Sequence, residues 1–435
     1  LWNLKNGEML WSRTEEGRYL QDATFSPNGQ MVACVSNDHL IILLDAESGS
    51  LLKTLGIPKS AMTALAFSRQ QSTLVVGSKD GAMRQWNTRF GALEKTYASH
   101  TSEITSIQYS PDETLLMSGS KGFNATERTL LGTLKVQNAA DNSLVWESPH
   151  KGCYHRVALS ADGDFLAYAG NSELHRHVRR DDWRKQTLNF DERSRSVIAF
   201  SPDGKALAIA ASHKTDGEAA ITLRDAQTGK ILRSISPPDE RNGYESAVFS
   251  PDGKTLACGG AIGSNRVRLW DVQAGRSKRT FRADECPKPQ AFSPDGKILA
   301  VTVLRDDNIW IYNVRTGKKQ ILRGHSGSVN FAAFSPDGRI LASASFDGTV
   351  KLWDMRDWNL LLTLLVLPSE NPGEVSQEWL AYTPDGYYTG SADSEKYIRW
   401  NLGTKIYPAD KYKRSRRKPE RIRKLLAEVL ESRTV

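Results

Sequence analysis

The chain has 435 residues, 39% of them hydrophobic and 25% charged, with 58 Lys and Arg against 50 Asp and Glu for a formal charge of +8. That length can bury a large core, and the balance is that of an ordinary globular protein, which excludes a disordered chain. The apolar runs Leu360 to Leu362 and Leu364 to Leu367 fall far short of the roughly 20 residues that a membrane helix needs.

The chain opens on "LWNLKNGEMLW", which reads as two strands with no partner strands before them; the favoured expectation is a piece cut from a longer protein, and the alternative is that these strands close a ring with the C-terminal blade. From there one turn recurs. "FSPDG" stands at 200–204, 249–253, 292–296 and 334–338, between apolar runs that alternate with small or polar residues. Ser accepts from the backbone, Pro fixes φ near −65°, and Gly supplies a positive φ, so the turn joins two antiparallel strands. With degenerate copies included, the aromatic or Leu anchor before the turn falls at Phe25, Phe67, Tyr109, Leu159, Phe200, Phe249, Phe292, Phe334 and Tyr382. These nine anchors stand 41 to 50 residues apart. A period in the forties with short strands predicts an all-β propeller of four-stranded antiparallel blades rather than a helical solenoid.

The best copy runs "RGHSGSVNFAAFSPDGRILASASFDGTVKLWDM", with Gly324-His325 before the first strand and Trp353-Asp354 closing the third. With "LWNL" at 1, "QWNT" at 85, "LRDA" at 223, "LWDV" at 269, "IYNV" at 311 and "IRWN" at 398, it resembles the WD-repeat family over nearly the whole chain. The resemblance implies a buried hydrogen-bond tetrad of His325, Ser345, Asp347 and Trp353. The tetrad is eroded elsewhere: the Phe67 unit keeps Ser78, Asp80 and Trp86 but has no His, and the Tyr109 unit keeps His100 but has "LKVQN" in place of Trp. Two arrangements remain open: a seven-bladed ring over 98–407 preceded by blade units of a neighbour over 1–97, or a single larger ring. Residues 408–435 form a basic connector and a helix in either case.

No residues in the chain carry an evident chemistry. A His, Ser and Asp in one stretch suggest a hydrolase, but the tetrad offers no exposed nucleophile or oxyanion hole. Cys153 and His155 in "GCYHRV" fall on neighbouring strand positions, and the four cysteines, which also include Cys34, Cys258 and Cys286, have no CxxC pairing or metal spacing. A reducing, cytoplasmic setting is expected. "GGAIGSN" at 259–265 is a hairpin loop, and no GxxxxGK[ST] phosphate loop occurs. The chain is therefore expected to be no enzyme and to need neither cofactor nor metal.

The positive expectation is a binding platform for a protein or peptide. In the family, partners are held where the loops before the first strand and after the second converge. Counting back from the anchors, Thr105, His155, Ser196, Glu245, Lys288, Asn330 and Glu378 should look into that face, as should Gln21 and Thr63. Phe346, apolar in the turn of "SASFDG", is the expected interface anchor. A propeller enzyme with a channel site is the rival reading.

Between 411 and 424 the chain carries nine Lys or Arg and one Glu, so the formal charge of +8 sits in this one segment, including Lys411, Lys413, Arg414, Arg416, Arg417 and Lys418. Contact with nucleic-acid phosphates and contact with an anionic membrane surface are the functional readings, and a solvated charged linker is the plain one. After Pro419, Ile422, Leu425, Leu426, Val429 and Leu430 recur at helical steps and predict an amphipathic helix from Pro419 to Glu431. The preceding stretch, with Trp379, Tyr382, Tyr387, Tyr388, Trp400 and Tyr407, resembles the closing blade and connector of bacterial WD-repeat proteins linked to caspase-like peptidases. It departs from them in having Lys-Pro-Glu near where they have Arg-Pro-Asp. That likeness implies a sensor or scaffold part of a larger signalling or protease-linked protein.

Overall fold

The structure is a computed structural model. It describes residues 20–25, 31–36, 40–45, 48, 50–56, 61–68, 73–124, 129–130, 132–148, 156–160, 163, 165–170, 173–178, 184–187, 196–211, 221–235, 244–260, 263–367, 378–402 and 405–431. Two compact units emerge, one of 1–59 with 367–372 and one of 60–366 with 373–435. In the first, the strands Leu20–Phe25, Met31–Ser36, Leu40–Asp45 and Leu51–Gly56 pair in chain order as one antiparallel sheet.

The second unit holds six separate four-stranded antiparallel blades, numbered here 1 to 6, over 62–98, 103–147, 156–187, 196–235, 246–282 and 288–322. They are followed by a composite six-stranded sheet over 329–390. The first strand of each blade lies against the first strand of the next, and the composite sheet's first strand, Val329–Phe334, lies against Met62–Phe67 of blade 1. The ring therefore closes within 62–366.

This corrects the count of nine units. The Tyr382 unit is not a blade of its own: its hairpin, Trp379–Tyr382 with Tyr388–Gly390, adds to the outer edge of Leu360–Val366. Its second strand has only three residues, too few to carry two further strands, and Arg399–Leu402 with Lys405–Pro408 make a separate two-stranded sheet. The compact division falls after Lys59.

Each Ser-Pro-Asp-Gly turn has the expected bonding. Ser201 Oγ donates to Asp203 Oδ1 at 2.5 Å and accepts from Ala206 N at 2.9 Å. The same pair of bonds recurs at Ser250, Ser293 and Ser335. Gly204, Gly253, Gly296 and Gly338 take φ of 71°, 68°, 69° and 71°, the left-handed region that glycine enters without strain.

Blade 1 is drawn entirely from 62–98 and the composite sheet entirely from 329–390, so no strand crosses the joint between them. Side chains hold it instead. Leu65, Leu74, Val76 and Trp86 of blade 1 share one buried cluster with Leu352, Leu362 and Leu364 of the composite sheet. Trp86 meets Trp379 of the added hairpin edge-on, with ring centroids 5.7 Å apart. The predicted helix, α2 (Pro419–Glu431), follows a short helix α1 (Lys413–Arg416) and lays Ile422, Leu426 and Val429 into the same cluster. Gly91, at φ 61°, makes room for it: a Cβ there would stand 2.7 Å from Leu362 Cδ2 and 3.3 Å from Ile422 Cγ2.

Burial of each such side chain stabilises by roughly 1.5–3 kcal/mol. Leu426→Ala should therefore lower the unfolding free energy by about 2–5 kcal/mol in urea denaturation. Lys424→Ala, on the helix's exposed side, should change it by less than about 0.5 kcal/mol.

Candidate functional site

The polar tetrad forms at the joint's composite sheet, with one member corrected. Trp353 Nε1 donates to Ser343 Oγ at 2.9 Å, Ser343 Oγ meets His325 Nε2 at 2.8 Å, and His325 Nδ1 meets Asp347 Oδ2 at 2.8 Å. The serine is Ser343 rather than Ser345. Trp353 pairs across the ladder with Leu341, so its indole N–H reaches the diagonal neighbour two residues on, whereas Ser345 sits at the strand end. There Ser345 Oγ donates to Gly327 O at 2.7 Å and accepts from Asp347 N at 3.0 Å, fastening the turn. Burial pushes the Asp347 carboxyl up, but the bond and charge of His325, with donors from Thr349 and Ser326, win and hold it well below the usual carboxylate range. All four members are buried, so the group orients the sheet and presents no nucleophile.

The eroded copies have substitutes. In blade 2, His100 Nε2 meets Ser118 Oγ and Nδ1 meets Thr133 Oγ1, each at 2.7 Å. His100 and Ser118 stand 18 residues apart, as do His325 and Ser343, and that shared spacing is the signal in the sequence that points to the correct serine. In blade 1 the missing histidine is replaced by Arg84, which is 3% exposed. Its Nη1 donates to Ser78 Oγ at 2.6 Å and its Nη2 to Asp80 Oδ2 at 3.0 Å. In blade 6, Asp306 accepts from Trp310 Nε1 at 2.7 Å.

The expected face residues divide. Glu245 and Lys288, from blades 5 and 6, come together as a half-exposed ion pair at 2.9 Å beside Gly260. Asn330 Nδ2 donates to Met62 O at 3.0 Å across the joint, and Thr63 Oγ1 donates to Ile104 O at 2.5 Å from blade 1 to blade 2. Both lace the inner strands of the ring together rather than project from it. Thr105 Oγ1 donates to Gly119 O at 3.2 Å inside its own blade. Glu378 accepts from Ser391 Oγ within the added hairpin, off the ring's inner strands. Ser196 begins the first strand of blade 4, while its side chain and all of His155 lie outside the described residues, as do the side chain of Gln21 and all of Cys153. Phe346 is 40% exposed. Its N–H donates to Ser328 O at 3.0 Å and the next residue is fixed by the tetrad, so this aromatic ring is displayed from a rigid turn.

The basic segment folds back on the hairpin. Lys413 and Arg417 pair with Glu395, each at 2.8 Å. Burial raises the Glu395 carboxyl, but these two cations more than offset it and lower it below its ordinary range. Arg416 Nη1 donates to Asp385 O at 2.8 Å, and Arg421 pairs with Asp385 at 3.1 Å while lying 4.0 Å over the Tyr387 ring. Lys411 lies 5.9 Å from the Tyr412 ring centroid, and Arg414 and Lys418 have exposed side chains. Among the described residues no group of three His, Cys, Asp or Glu is placed to hold a metal, and no helix is long and apolar enough to cross a membrane.

The sequence profile of the WD domain, G-beta repeat, matches residues 49–87, 91–124, 240–271 and 317–354. The WD repeat-containing protein SL1-17 of Schistosoma mansoni is 31% identical over 245 residues, covering 54% of this chain and 75% of that protein. The chain belongs to the WD-repeat family. This WD-repeat chain is also 30% identical over 215 residues, 46% of its length, to the periodic tryptophan protein 2 homolog of Dictyostelium discoideum. It spans about a fifth of that protein and of its Arabidopsis thaliana counterpart. Among solved structures, the β-propeller domain of Cps50 (Swd1) from Myceliophteria thermophila superposes with a TM-score of 0.58 at 16% identity, covering 68% of this chain and 98% of that one; this likeness is one of fold.

The blade 2 tetrad makes stability depend on pH. Burial first, and Lys135 second, push His100 down to about 3. An unfolded histidine takes its proton near 6.5, so the stability contributed by neutral His100 is complete above that pH. It should decline by up to about 1.4 kcal/mol per unit as pH falls from 6.5 toward 3. The Asp347 contribution is present above the ordinary carboxylate range and is lost only at lower pH. Urea unfolding at about pH 7 and pH 5 should show a smaller acid loss for His100→Gln than for the natural chain; equal losses would remove His100 as the cause.

Proposed function

We propose that the chain is a non-catalytic protein-interaction scaffold whose ring receives a protein partner at the end opposite the Ser-Pro-Asp-Gly turns. Phe346 carries this reading: a large apolar side chain, 40% exposed, is held where rigid display lowers the entropy cost of binding. The Glu245–Lys288 pair at the same end of blades 5 and 6 supplies a polar rim. His325, Ser343 and Asp347, the His, Ser and Asp of the best-kept repeat, are committed to orienting strands, which speaks for a scaffold over a channel enzyme.

A wider reading, of a sensor or scaffold within a larger bacterial signalling or protease-linked protein, rests on the sequence of 378–407 alone; the relatives named above are eukaryotic. A reducing, cytoplasmic setting belongs to the same proposal, supported by the buried free thiol of Cys286. The nucleic-acid reading is the weaker alternative, because Lys413, Arg416, Arg417 and Arg421 already have partners within the chain.

The test is capture of partners from source cells by the immobilised natural chain and by Phe346→Asp with Lys288→Glu. The protein retained by the natural chain should fall at least about tenfold with the variant, a loss of about 1.4 kcal/mol, while the melting temperature holds. Equal retention by both would place recognition elsewhere.

A further inference from the structure

A cavity of about 600 Å³ opens at the outer corner between blades 5 and 6, within the range of roughly 300–1,000 Å³ that takes a small ligand or a few peptide residues. Three cations line it: Arg305 from the loop before the third strand of blade 6, Lys319 on the outermost strand, and Arg323 just beyond that strand. All three are exposed, and none is ion-paired among the described residues. Asp306, in the same loop, keeps its negative charge beside them, its carboxylate accepting from Trp310 Nε1 at 2.7 Å and from Asn308 N at 3.0 Å.

Two exposed carboxylates, Asp284 and Glu285, line the same cavity from the connection between blades 5 and 6, again without an ion pair to the three cations. Opposite charges that share a cavity and do not pair leave both sets available to a ligand. Leu304, 45% exposed, gives the cavity its apolar surface, and the buried Trp310 ring carries Lys319 Nζ at 3.8 Å from its centroid. That contact fixes the ammonium over the cavity, so less side-chain entropy is lost on binding.

We propose that this corner is a second docking site, for an extended peptide segment of a protein partner with acidic residues at one end, an aliphatic residue in the middle and basic residues at the other. The carboxylates meet Arg305, Lys319 and Arg323, the aliphatic side chain covers Leu304, and the basic end meets Asp284 and Glu285. The site shares no residue with Phe346, Glu245 or Lys288, so either can fail without the other.

The experiment is fluorescence anisotropy of the full chain with fluorescein-labelled Glu-Glu-Leu-Ser-Lys-Lys-amide, the same residues in reverse order, and an all-basic Lys-Lys-Leu-Ser-Lys-Lys-amide. One of the two mixed-charge peptides should bind saturably in the micromolar range and at least about tenfold more tightly than the all-basic one. Lys319→Glu with Arg323→Glu should weaken it at least about tenfold, with Phe346→Asp leaving it unchanged. If the double variant melts early, Lys319→Ala with Arg323→Ala should give the same ordering. Absence of saturable binding up to about 1 mM, equal binding of the basic peptide, or indifference to both double variants would overturn the site.

Discussion

The ring depends on one joint. A propeller closes when its last blade meets its first, and here each side of that meeting is built from consecutive strands, so no backbone ladder spans it. Only side chains hold the two sheets, and apolar contact is non-directional, so something must fix their relative placement. The chain supplies this after the ring is complete. The hairpin at 379–390 extends the outer edge of the last sheet and sets Trp379 against Trp86, and α2 then fills the shared cluster with Ile422, Leu426 and Val429. At the inner edge, Asn330 to Met62 O adds a directional bond. The basic segment belongs to the same device: Glu395 and Asp385 on the hairpin side receive Lys413, Arg417 and Arg421, and so orient α2 as it arrives.

Within the blades, polar networks repeat a task rather than a composition. Four of the sheets satisfy buried donors with side chains near the step from the second strand to the third, where an unsatisfied buried group costs about 1–3 kcal/mol. The composite sheet does so with His325, Ser343, Asp347 and Trp353, blade 2 with His100, Ser118 and Thr133, blade 1 with the Arg84 guanidinium, and blade 6 with Asp306 and Trp310. The third-strand tryptophan is therefore dispensable where another donor and acceptor close the same gap. A scaffold gains from this arrangement: rigid turns leave side chains such as Phe346 displayed in one orientation.

What was legible in the sequence was local. The Ser-Pro-Asp-Gly turn announces a hairpin because its hydroxyl, carboxylate and glycine act within six residues of one another, as Ser201 to Ala206 shows. The helix from Pro419 to Glu431 was legible for the same reason, its apolar positions being set by a 3.6-residue period. Whether a hairpin founds a blade or extends one is not a local property, and Thr383 to Gly386 has the right turn chemistry in the wrong context. Ser343 and Ser345 likewise share a strand face two residues apart, and only the cross-strand register of Trp353 separates them. The Glu245–Lys288 pair joins residues 43 apart on neighbouring blades, and the cavity beside blade 6 collects charges from three connections; neither leaves a mark at any single stretch of chain.

The measurement that bears most directly on this account is amide hydrogen exchange of the inner strands, comparing the natural chain with a version ending at Val366. If the hairpin and α2 fix the joint, protection should fall along Met62–Phe67 and Val329–Phe334 in the shortened chain, while Thr255–Gly259 and Ile298–Thr302 keep theirs. Unchanged protection at both joint strands would mean that the ring closes without its C-terminal segment, and would contradict the account.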